Sequence, residues 1–393
     1  MKSVVVTLLL CLVLSYSSCA VPKEIPPARE NTAEKPRLSF REDGTFRILN
    51  LSDFQDDAYF SGLTAAFIRK SIEKYDPDVI VLTGDNIAGY WCLSPEASEV
   101  AIRSFMEIFE EAGVPVAFVF GNHDDEGNAL SKQEQMKIYN EYSVSLGVDE
   151  ADLGTDLSGT GTYCVPVYES ASSDTVKFVL WLFDSGSDDA MEEAAGYDHV
   201  RADQIEWYRG ESARLEAENG ESVPGIAFQH VIVKEIYDAL DEVPKDTPGA
   251  HPRNGKWYAL PDTAAPGSML YESPAPSEKN AGLFDAFVET GNVLATVSGH
   301  DHVNAFVVPY KGVDLICTPS CGFCSYGSEA ARGARIFDIS LDDPSRYITE
   351  TYLFTDFHFE GTGMWTEYHI VNFVRECYTF FSNLFGVLEA ELS

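Results

Sequence analysis

The stretch VIVLTGDN, residues 79–86, joins an apolar run that predicts a buried strand to a loop that carries Asp85. The same pattern returns where residues 114–120 lead into Gly121-Asn122-His123-Asp124 and where residues 293–298 lead into Gly299-His300-Asp301-His302. Open α/β sheets present ligands at the ends of their strands. Three sets of oxygen and imidazole donors at strand ends therefore predict a metal site.

Two further strand ends add donors to this set. Residues 46–51 form a predicted strand that leads to Asp53 and Gln55, and residues 225–228 form one that leads to His230. Predicted helices at residues 62–75 and 95–112 alternate with the first strands, which indicates an α/β sheet wound by right-handed crossovers. Later predictions are strands at 163–168, 177–183, 305–309, 313–317, 334–339 and 347–353, and helices at 202–218 and 281–289.

The two ends of the chain have a different texture from the centre. Residues 1–20 have a basic start, an apolar stretch and a small-residue exit, which is typical of a secretory signal peptide cleaved after Ala20; Cys19 leaves a lipoprotein anchor as an alternative. We predict a linker at 21–40, one catalytic domain at 41–356 and an amphipathic helix at 357–393. That helix could pack on the domain or support a dimer. Residues 241–280, rich in Pro, Gly and Asp, are expected to form an irregular excursion that shapes a substrate pocket.

Charge and cysteine content restrict the function classes. Lys and Arg number 27 against 63 Asp and Glu, for a net charge of -36, so nucleic acid binding and docking on anionic membranes are not expected. An exported chain can form disulfides, and a disulfide is a better interpretation of Cys317, Cys321 and Cys324 than a zinc knuckle, because no fourth ligand lies at zinc-site spacing.

The donor set has the chemistry of a hydrolytic two-metal centre. Such a centre needs a carboxylate that bridges two cations about 3.5–4 Å apart, further oxygen and nitrogen ligands, and an imidazole near the leaving group. The chain offers carboxylates at Asp53 and Asp85, a neutral oxygen at Asn122, imidazoles at His230, His300 and His302, and a spare acid or base at His123.

The ordered set of motifs resembles the calcineurin-like metallophosphoesterases. Gly121-Asn122-His123-Asp124 and Gly299-His300-Asp301-His302 together are highly specific, whereas Gly84-Asp85-Asn86 alone is weak. Residues 82–87, 280–284 and 299–304 look like the small purple-acid-phosphatase-like proteins of plants and fungi. The resemblance covers roughly residues 44–340 and implies a four-layer α/β/β/α sandwich with metals at the sheet ends.

The resemblance also implies a role for each donor. Asp85 would bridge two divalent or mixed-valence ions (Mn, Fe, Zn or Mg), and a bridging hydroxide would attack phosphorus in line. His123 would protonate the leaving oxygen or stabilise the transition state, and Asn122 and His123 would also contact substrate. The remaining ligands divide into Asp53 and His302 for the first metal, with Gln55 as a weaker candidate, and Asn122, His230 and His300 for the second.

Gln55 is the main departure from the family pattern, which has His at this position. Its amide oxygen binds cations more weakly than imidazole, so the first site could favour Mg or Mn, release its metal readily or use water. Ala88 stands where classical purple acid phosphatases carry their tyrosine, so no purple chromophore is expected. Asp124 is expected to steady His123 or cap a turn, and Asp301 to orient its neighbours. His251, in the irregular excursion, is a candidate substrate contact.

Together these features predict an exported phosphoesterase that depends on two metals. Phosphomonoester hydrolysis is the leading prediction, with a phosphorylated small molecule or phosphoprotein as substrate. A phosphodiesterase or nucleotide hydrolase with the same core is the alternative within enzymes. A catalytically weak protein that binds a phosphate ligand is the alternative outside them, because Gln55 weakens the first site.

Overall fold

A computed structural model of the protein describes residues 34–148, 157–187, 196–328 and 330–357. Within these residues two large β-sheets lie face to face, and a small third sheet lies in the segment after residue 240. The strands are β1 (Leu38–Ser39), β2 (Thr45–Leu51), β3 (Val79–Thr83), β4 (Val116–Val119), β5 (Tyr163–Tyr168), β6 (Val176–Leu182), β7 (Gly225–Phe228), β8 (Asp241–Glu242), β9 (His251–Arg253), β10 (Lys256–Ala259), β11 (Val293–Ser298), β12 (Phe306–Tyr310), β13 (Val313–Cys317), β14 (Gly333–Ser340) and β15 (Asp343–Leu353). The helices are α1 (Gly62–Tyr75), α2 (Pro95–Ala112), α3 (Lys132–Tyr139), α4 (Ala202–Asn219), α5 (Ile236–Ala239) and α6 (Leu283–Thr290).

The first large sheet has five strands in the order β15-β14-β2-β3-β4. Its β2, β3 and β4 are parallel, and α1 and α2 connect them. The second has seven strands in the order β1-β5-β6-β7-β11-β13-β12, with β6, β7, β11 and β13 parallel. Parallel strands end at the same edge of a sheet, so each sheet gathers the loops after its parallel strands on one edge.

Three apolar clusters hold the layers together. One lies between the sheets, where side chains such as Ile48 and Val81 of the first sheet meet Leu180 and Ile226 of the second. A second lies between the five-stranded sheet and α1 to α3, and a third between the seven-stranded sheet and α4 to α6. The order helix, sheet, sheet, helix confirms the predicted four-layer α/β/β/α sandwich.

Local sequence signals explain where the helices next to the site begin and end. Ser94 caps α2, because its hydroxyl accepts a hydrogen bond from the Ala97 amide at 3.2 Å. Gly113 ends the same helix with a left-handed φ of 67°. In α3, Ser131 and Glu134 form a reciprocal capping box. Helix α3 was not predicted, because its sequence KQEQMKIY is mostly polar and shows no apolar stripe of helical spacing.

Two predicted segments differ from the structure. The domain starts before residue 41, since Leu38 and Phe40 are buried. Strand β1, which lies inside the predicted linker, pairs with β5 of the domain. Residues 241–280 are not wholly irregular, because β8, β10 and β9 form a small antiparallel sheet there. Its strands of two to four residues are too short to show alternation in sequence.

Some predictions fall outside the described residues. The predicted signal peptide at 1–20 lies there, as does the proposed C-terminal helix beyond Phe357. No helix in the described ranges has the length and apolar character needed to cross a bilayer.

The cysteines correct the prediction of a structural disulfide. No disulfide joins any two of the five cysteines in the described part of the chain, which are Cys92, Cys164, Cys317, Cys321 and Cys324. Four of these thiols have other partners. Cys321 donates to the Ser52 carbonyl at 3.1 Å and Cys324 to an Asp56 carboxylate oxygen at 2.7 Å, while Cys164 and Cys317 make longer contacts of 3.7 Å with Glu211 and with the Gly299 carbonyl.

Candidate metal centre

The predicted ligands come from both large sheets. Asp53, Asp85 and Asn122 follow β2, β3 and β4 of the five-stranded sheet, so this sheet supplies only oxygen donors. The imidazoles of His230, His300 and His302 follow β7 and β11 of the seven-stranded sheet. The packing of one sheet on the other therefore brings the oxygen and nitrogen donors together.

Two groups of donors are close enough to hold a metal ion each. Ligand atoms of Asp85, His230 and His300 lie within 4.8 Å of one another, and so do those of Asp53, Asp85 and His302. The Asn122 amide oxygen is 3.1 Å from His230 Nε2, which places it with the first of these groups. Asp85 belongs to both groups, as a bridging carboxylate requires.

The chemistry of these groups fits two divalent cations. Each group combines carboxylate oxygen with imidazole nitrogen, a set suited to borderline metals such as Zn, Mn and Fe. All six side chains are buried. Buried carboxylates without compensating charge are costly, which favours cations at this position.

The centre holds its ligands in strained backbone conformations. Among the described residues, seven that are not glycine have positive φ, and four of these are Asp53, Gln55, Asp85 and His300. Such conformations are uncommon for residues with a side chain and cluster at functional sites. The surrounding sheets impose them at the positions that must point inward.

Two glycines let the loops approach one another. A Cβ at Gly121 would collide with the carboxylate of Asp85, and a Cβ at Gly299 would collide with Ser52 and with the carboxylate of Asp53. The need for close approach explains why glycine precedes the donor residues of both motifs.

Backbone carbonyls set the direction of two imidazoles. His230 Nδ1 is 2.8 Å from the Thr83 carbonyl, and His302 Nδ1 is 2.9 Å from the Tyr326 carbonyl. A carbonyl can only accept, so each Nδ1 donates its N–H and each Nε2 is left to face the carboxylates. His230 Nε2 lies 3.3 Å from Asp85 Oδ2, and His302 Nε2 lies 3.4 Å from Asp53 Oδ1.

Burial and mutual charge shift the pKa values in the centre. Burial raises the pKa of Asp53 to about 7, against the opposing charge of His230. Burial alone would lower the pKa of His230, but the carboxylate of Asp85 outweighs it and raises that pKa to about 9. Burial lowers the pKa of His302 to about 4, so this imidazole is neutral at pH 7 and ready to act as a ligand.

Gln55 lies beside the shared carboxylate. Its side chain is buried, and its Nε2 donates to Asp85 Oδ2 at 3.1 Å. The amide therefore reaches the centre that the sequence predicted for it, but it faces Asp85 as a hydrogen-bond donor. Its assignment as a metal ligand stays a prediction.

His123 stands at the open edge of the centre, with 30% of its side chain exposed. Its backbone N–H donates to Asp85 Oδ1 at 2.8 Å, and its Nε2 is 4.0 Å from Asp85 Oδ2. Its Nδ1 contacts Glu126 Oε2 at 2.6 Å. The acidic partner is thus Glu126, which the sequence did not single out; a carboxylate three residues after the histidine was the available signal.

Asp124 takes the other of its two expected roles. Its buried carboxylate accepts from the amides of Gly121, Asn86 and Ile87 at 2.7, 3.0 and 3.0 Å. It therefore joins the loop after β4 to the loop after β3. Asp301 is also buried and accepts from the Ala275 amide at 3.1 Å, which ties the histidine loop to the segment after residue 270.

His251 lies in β9, in the small sheet. Its Nε2 contacts the Leu270 carbonyl at 2.9 Å, and it is in neither metal-binding group. Its role in substrate binding stays a prediction.

Comparisons with known proteins agree with this centre. A family model described as calcineurin-like phosphoesterase matches residues 46–304, a range that contains every predicted ligand. A protein from Arabidopsis thaliana named probable inactive purple acid phosphatase 28 is 31% identical over 337 residues, which cover 77% of this chain and 77% of that protein. Probable inactive purple acid phosphatase 14 of the same plant is 27% identical over 337 residues and covers 78% of each chain.

Among solved structures, a dimetal phosphatase from Danio rerio has a similar chain. It is 14% identical, the match covers 78% of this chain and 99% of that one, and the TM-score is 0.45.

Proposed function

Because the chain belongs to the calcineurin-like phosphoesterase family, in its purple-acid-phosphatase-like branch, we propose that it hydrolyses phosphate monoesters with two bound metal ions. The observation that supports this most is the sharing of Asp85 by two groups of donors, each completed by imidazole. Asp53 and His302 would hold one ion, and Asn122, His230 and His300 the other. When bound, the ions would supply Lewis-acid activation of water and of the phosphoryl oxygens.

The chain's own residues would direct the reaction. His123, at the open edge, and the buried Asn122 that precedes it would contact the phosphoryl group. With its Nδ1 toward Glu126, His123 has Nε2 free on the side of Asp85, where it would deliver a proton to the leaving oxygen. The burial of the ligands keeps bulk water away from the carboxylates, which strengthens their electrostatic interactions.

The names of the relatives bear on the choice of substrate and on activity. They are called purple acid phosphatases, which supports a monoester substrate, either a phosphorylated small molecule or a phosphoprotein. The same names include the word inactive, and that word together with Gln55 beside Asp85 favours a second candidate: a protein that binds a phosphate ligand and turns it over weakly. We further propose export through residues 1–20.

The test combines metal analysis with ester hydrolysis. We expect two metal equivalents per chain and turnover of phenyl phosphate in excess over its diester. His123→Ala is expected to lower kcat by roughly 10²- to 10⁴-fold at unchanged metal content, since it removes proton transfer and leaves every ligand in place. Asp85→Asn should lose both metals, because both sites share that carboxylate.

His199→Ala is the matched control, because the His199 ring contacts Asp198 at 3.1 Å and belongs to neither group of donors, and it should leave metal content and kcat unchanged. Preference for the diester would favour the phosphodiesterase alternative. Metal binding without turnover by Mn, Fe, Zn or Mg forms would favour the binding protein. A chain that binds no metal would refute both.

A further inference from the structure

An exposed aromatic ring lies directly against the metal centre. Tyr326 stacks on the ring of His302 with a centroid distance of 4.0 Å and an interplanar angle of 9°. His302 is almost fully buried, while Tyr326 is 58% exposed. One face of the tyrosine therefore covers a proposed metal ligand, and its other face is open to solvent.

Two further contacts hold this ring in place. The Tyr326 hydroxyl donates to the carboxylate of Glu272, with oxygen distances of 3.2 and 3.1 Å. Glu272 is itself fixed, since its Oε1 accepts from the Val303 amide at 3.1 Å. The ring is thus oriented before any ligand arrives, and a preorganised aromatic surface binds with little loss of side-chain entropy.

The backbone of Tyr326 does a separate task. Its carbonyl accepts the N–H of His302 Nδ1 at 2.9 Å, and any residue at position 326 could provide that carbonyl. Orientation of the His302 ring therefore does not explain why position 326 has an aromatic side chain with one face open to solvent. An exposed aromatic ring of this kind is a favourable surface for stacking of a planar ligand.

We propose that Tyr326 is a platform for the organic group of the substrate, and that this group is aromatic: a planar ring attached to a single phosphate. The inference rests on the proposed function, which places the phosphate between the two groups of donors. The ring of Tyr326 is 4.0 Å from that of His302, whose Nε2 is 3.4 Å from Asp53 Oδ1, so the platform borders the centre that would hold the phosphate.

Glu272 limits what that organic group can be. Its carboxylate lies at the hydroxyl edge of the platform, where it accepts from the Tyr326 hydroxyl and from the Val303 amide. A second phosphate on the organic group would meet this negative charge, as well as a chain of net charge -36. The substrate class is therefore an aromatic monophosphate, such as an aryl phosphate or a nucleoside monophosphate.

The test uses binding as well as turnover. Phenylphosphonate and methylphosphonate, which the chain cannot hydrolyse as esters, are titrated calorimetrically into the full-length protein with Mn²⁺. Tyr326→Leu is expected to weaken phenylphosphonate binding about 5- to 150-fold, the range that corresponds to loss of one stacking contact, and to leave methylphosphonate binding unchanged. Tyr326→Phe keeps the ring and should retain most of the binding.

Tyr271→Leu provides the matched control. Tyr271 is 56% exposed and neighbours Glu272 in sequence, but it does not stack on a proposed ligand in the contacts of the described residues. Replacement of Tyr271 should change the affinity for neither phosphonate. Three results would overturn the platform: Tyr326→Leu loses equal affinity for both phosphonates, Tyr326→Leu loses no affinity for phenylphosphonate, or Tyr271→Leu loses as much affinity for phenylphosphonate as Tyr326→Leu does.

Hydrolysis identifies the aromatic group and separates the two proposals. The ratio of kcat/KM for phenyl phosphate to that for glycerol phosphate, and for adenosine monophosphate to glycerol phosphate, is compared in the wild type and Tyr326→Leu. A fall in the first ratio assigns an aryl group and a fall in the second a nucleobase, and either supports the platform. If the wild type hydrolyses none of these esters but still binds phenylphosphonate through Tyr326, the proposed function fails and the platform stands.

Discussion

Replacement of Glu126 by glutamine tests how far His123 depends on its acidic partner. The carboxylate contacts His123 Nδ1 at 2.6 Å, so it favours the orientation in which Nε2 faces the metal centre. Glutamine has the same shape and can still accept through its amide oxygen, but it lacks the charge. The variant should therefore keep the orientation of the ring in part and lose the electrostatic contribution.

The structure limits the size of this effect. The side chains of His123 and Glu126 are 30% and 47% exposed, so solvent screens their interaction. Exposed pairs of this kind contribute about 0.2–1 kcal/mol. Since about 1.4 kcal/mol corresponds to a tenfold change in rate, the loss in kcat should be at most about fivefold. Loss of His123 itself should cost roughly 10²- to 10⁴-fold.

The assay measures kcat for two monoesters with the metal content of each variant determined in parallel. The alkoxide leaving group of an alkyl phosphate must be protonated as it departs, whereas the nitrophenolate of a nitrophenyl phosphate departs without protonation. Glu126→Gln should slow the first and leave the second nearly unchanged. A loss as large as that of His123→Ala, or an equal loss for both esters, would refute the assignment of Glu126 as a positioning residue for proton transfer.

Three further predictions concern metal binding and stability. Gln55→His should increase retention of one metal equivalent during dialysis, because imidazole is a better ligand than an amide; unchanged retention would place position 55 outside the ligand set. At neutral pH, metal uptake should release the proton of His230, whose pKa is about 9 in the metal-free chain. Calorimetry in buffers of different ionisation enthalpy should therefore count fewer released protons per chain above that pKa than below it. Arg103→Met should lower the free energy of unfolding, measured in urea, by about 2–3 kcal/mol at unchanged metal content. Arg103 is 1% exposed, and its loss removes an ion-pair partner from the partly exposed Glu99 and Glu141. A loss below about 0.5 kcal/mol would contradict this.

The sequence predicts the fold and the inward-facing donors well because both rest on strong local patterns. Asp53, Asp85, Asn122, His230 and His300 each follow a buried apolar strand, and the ends of parallel strands must share an edge. Periodicity also separates the long helices from the strands.

The parts that the sequence does not predict lie in loops without periodicity. Asp124 and Glu126 both follow His123 closely, and only the turn geometry decides that Asp124 points into the core and Glu126 toward the imidazole. Tyr326 reaches His302 across 24 residues, through a loop whose path depends on tertiary contacts. Whether two cysteines lie close enough to form a disulfide depends on tertiary contacts as well.

The division of donor types between the two sheets makes this centre suitable for split-protein reconstitution. A fragment that ends at residue 148 carries Asp53, Asp85 and Asn122, while a fragment that starts at residue 157 carries the three imidazoles. Neither fragment contains a complete set for either ion, although β14 and β15 of the second fragment belong to the sheet of the first. A divalent metal ion would then bind only to the assembled pair of fragments. The association of the two fragments should therefore strengthen with metal concentration, and a chelator should dissociate them.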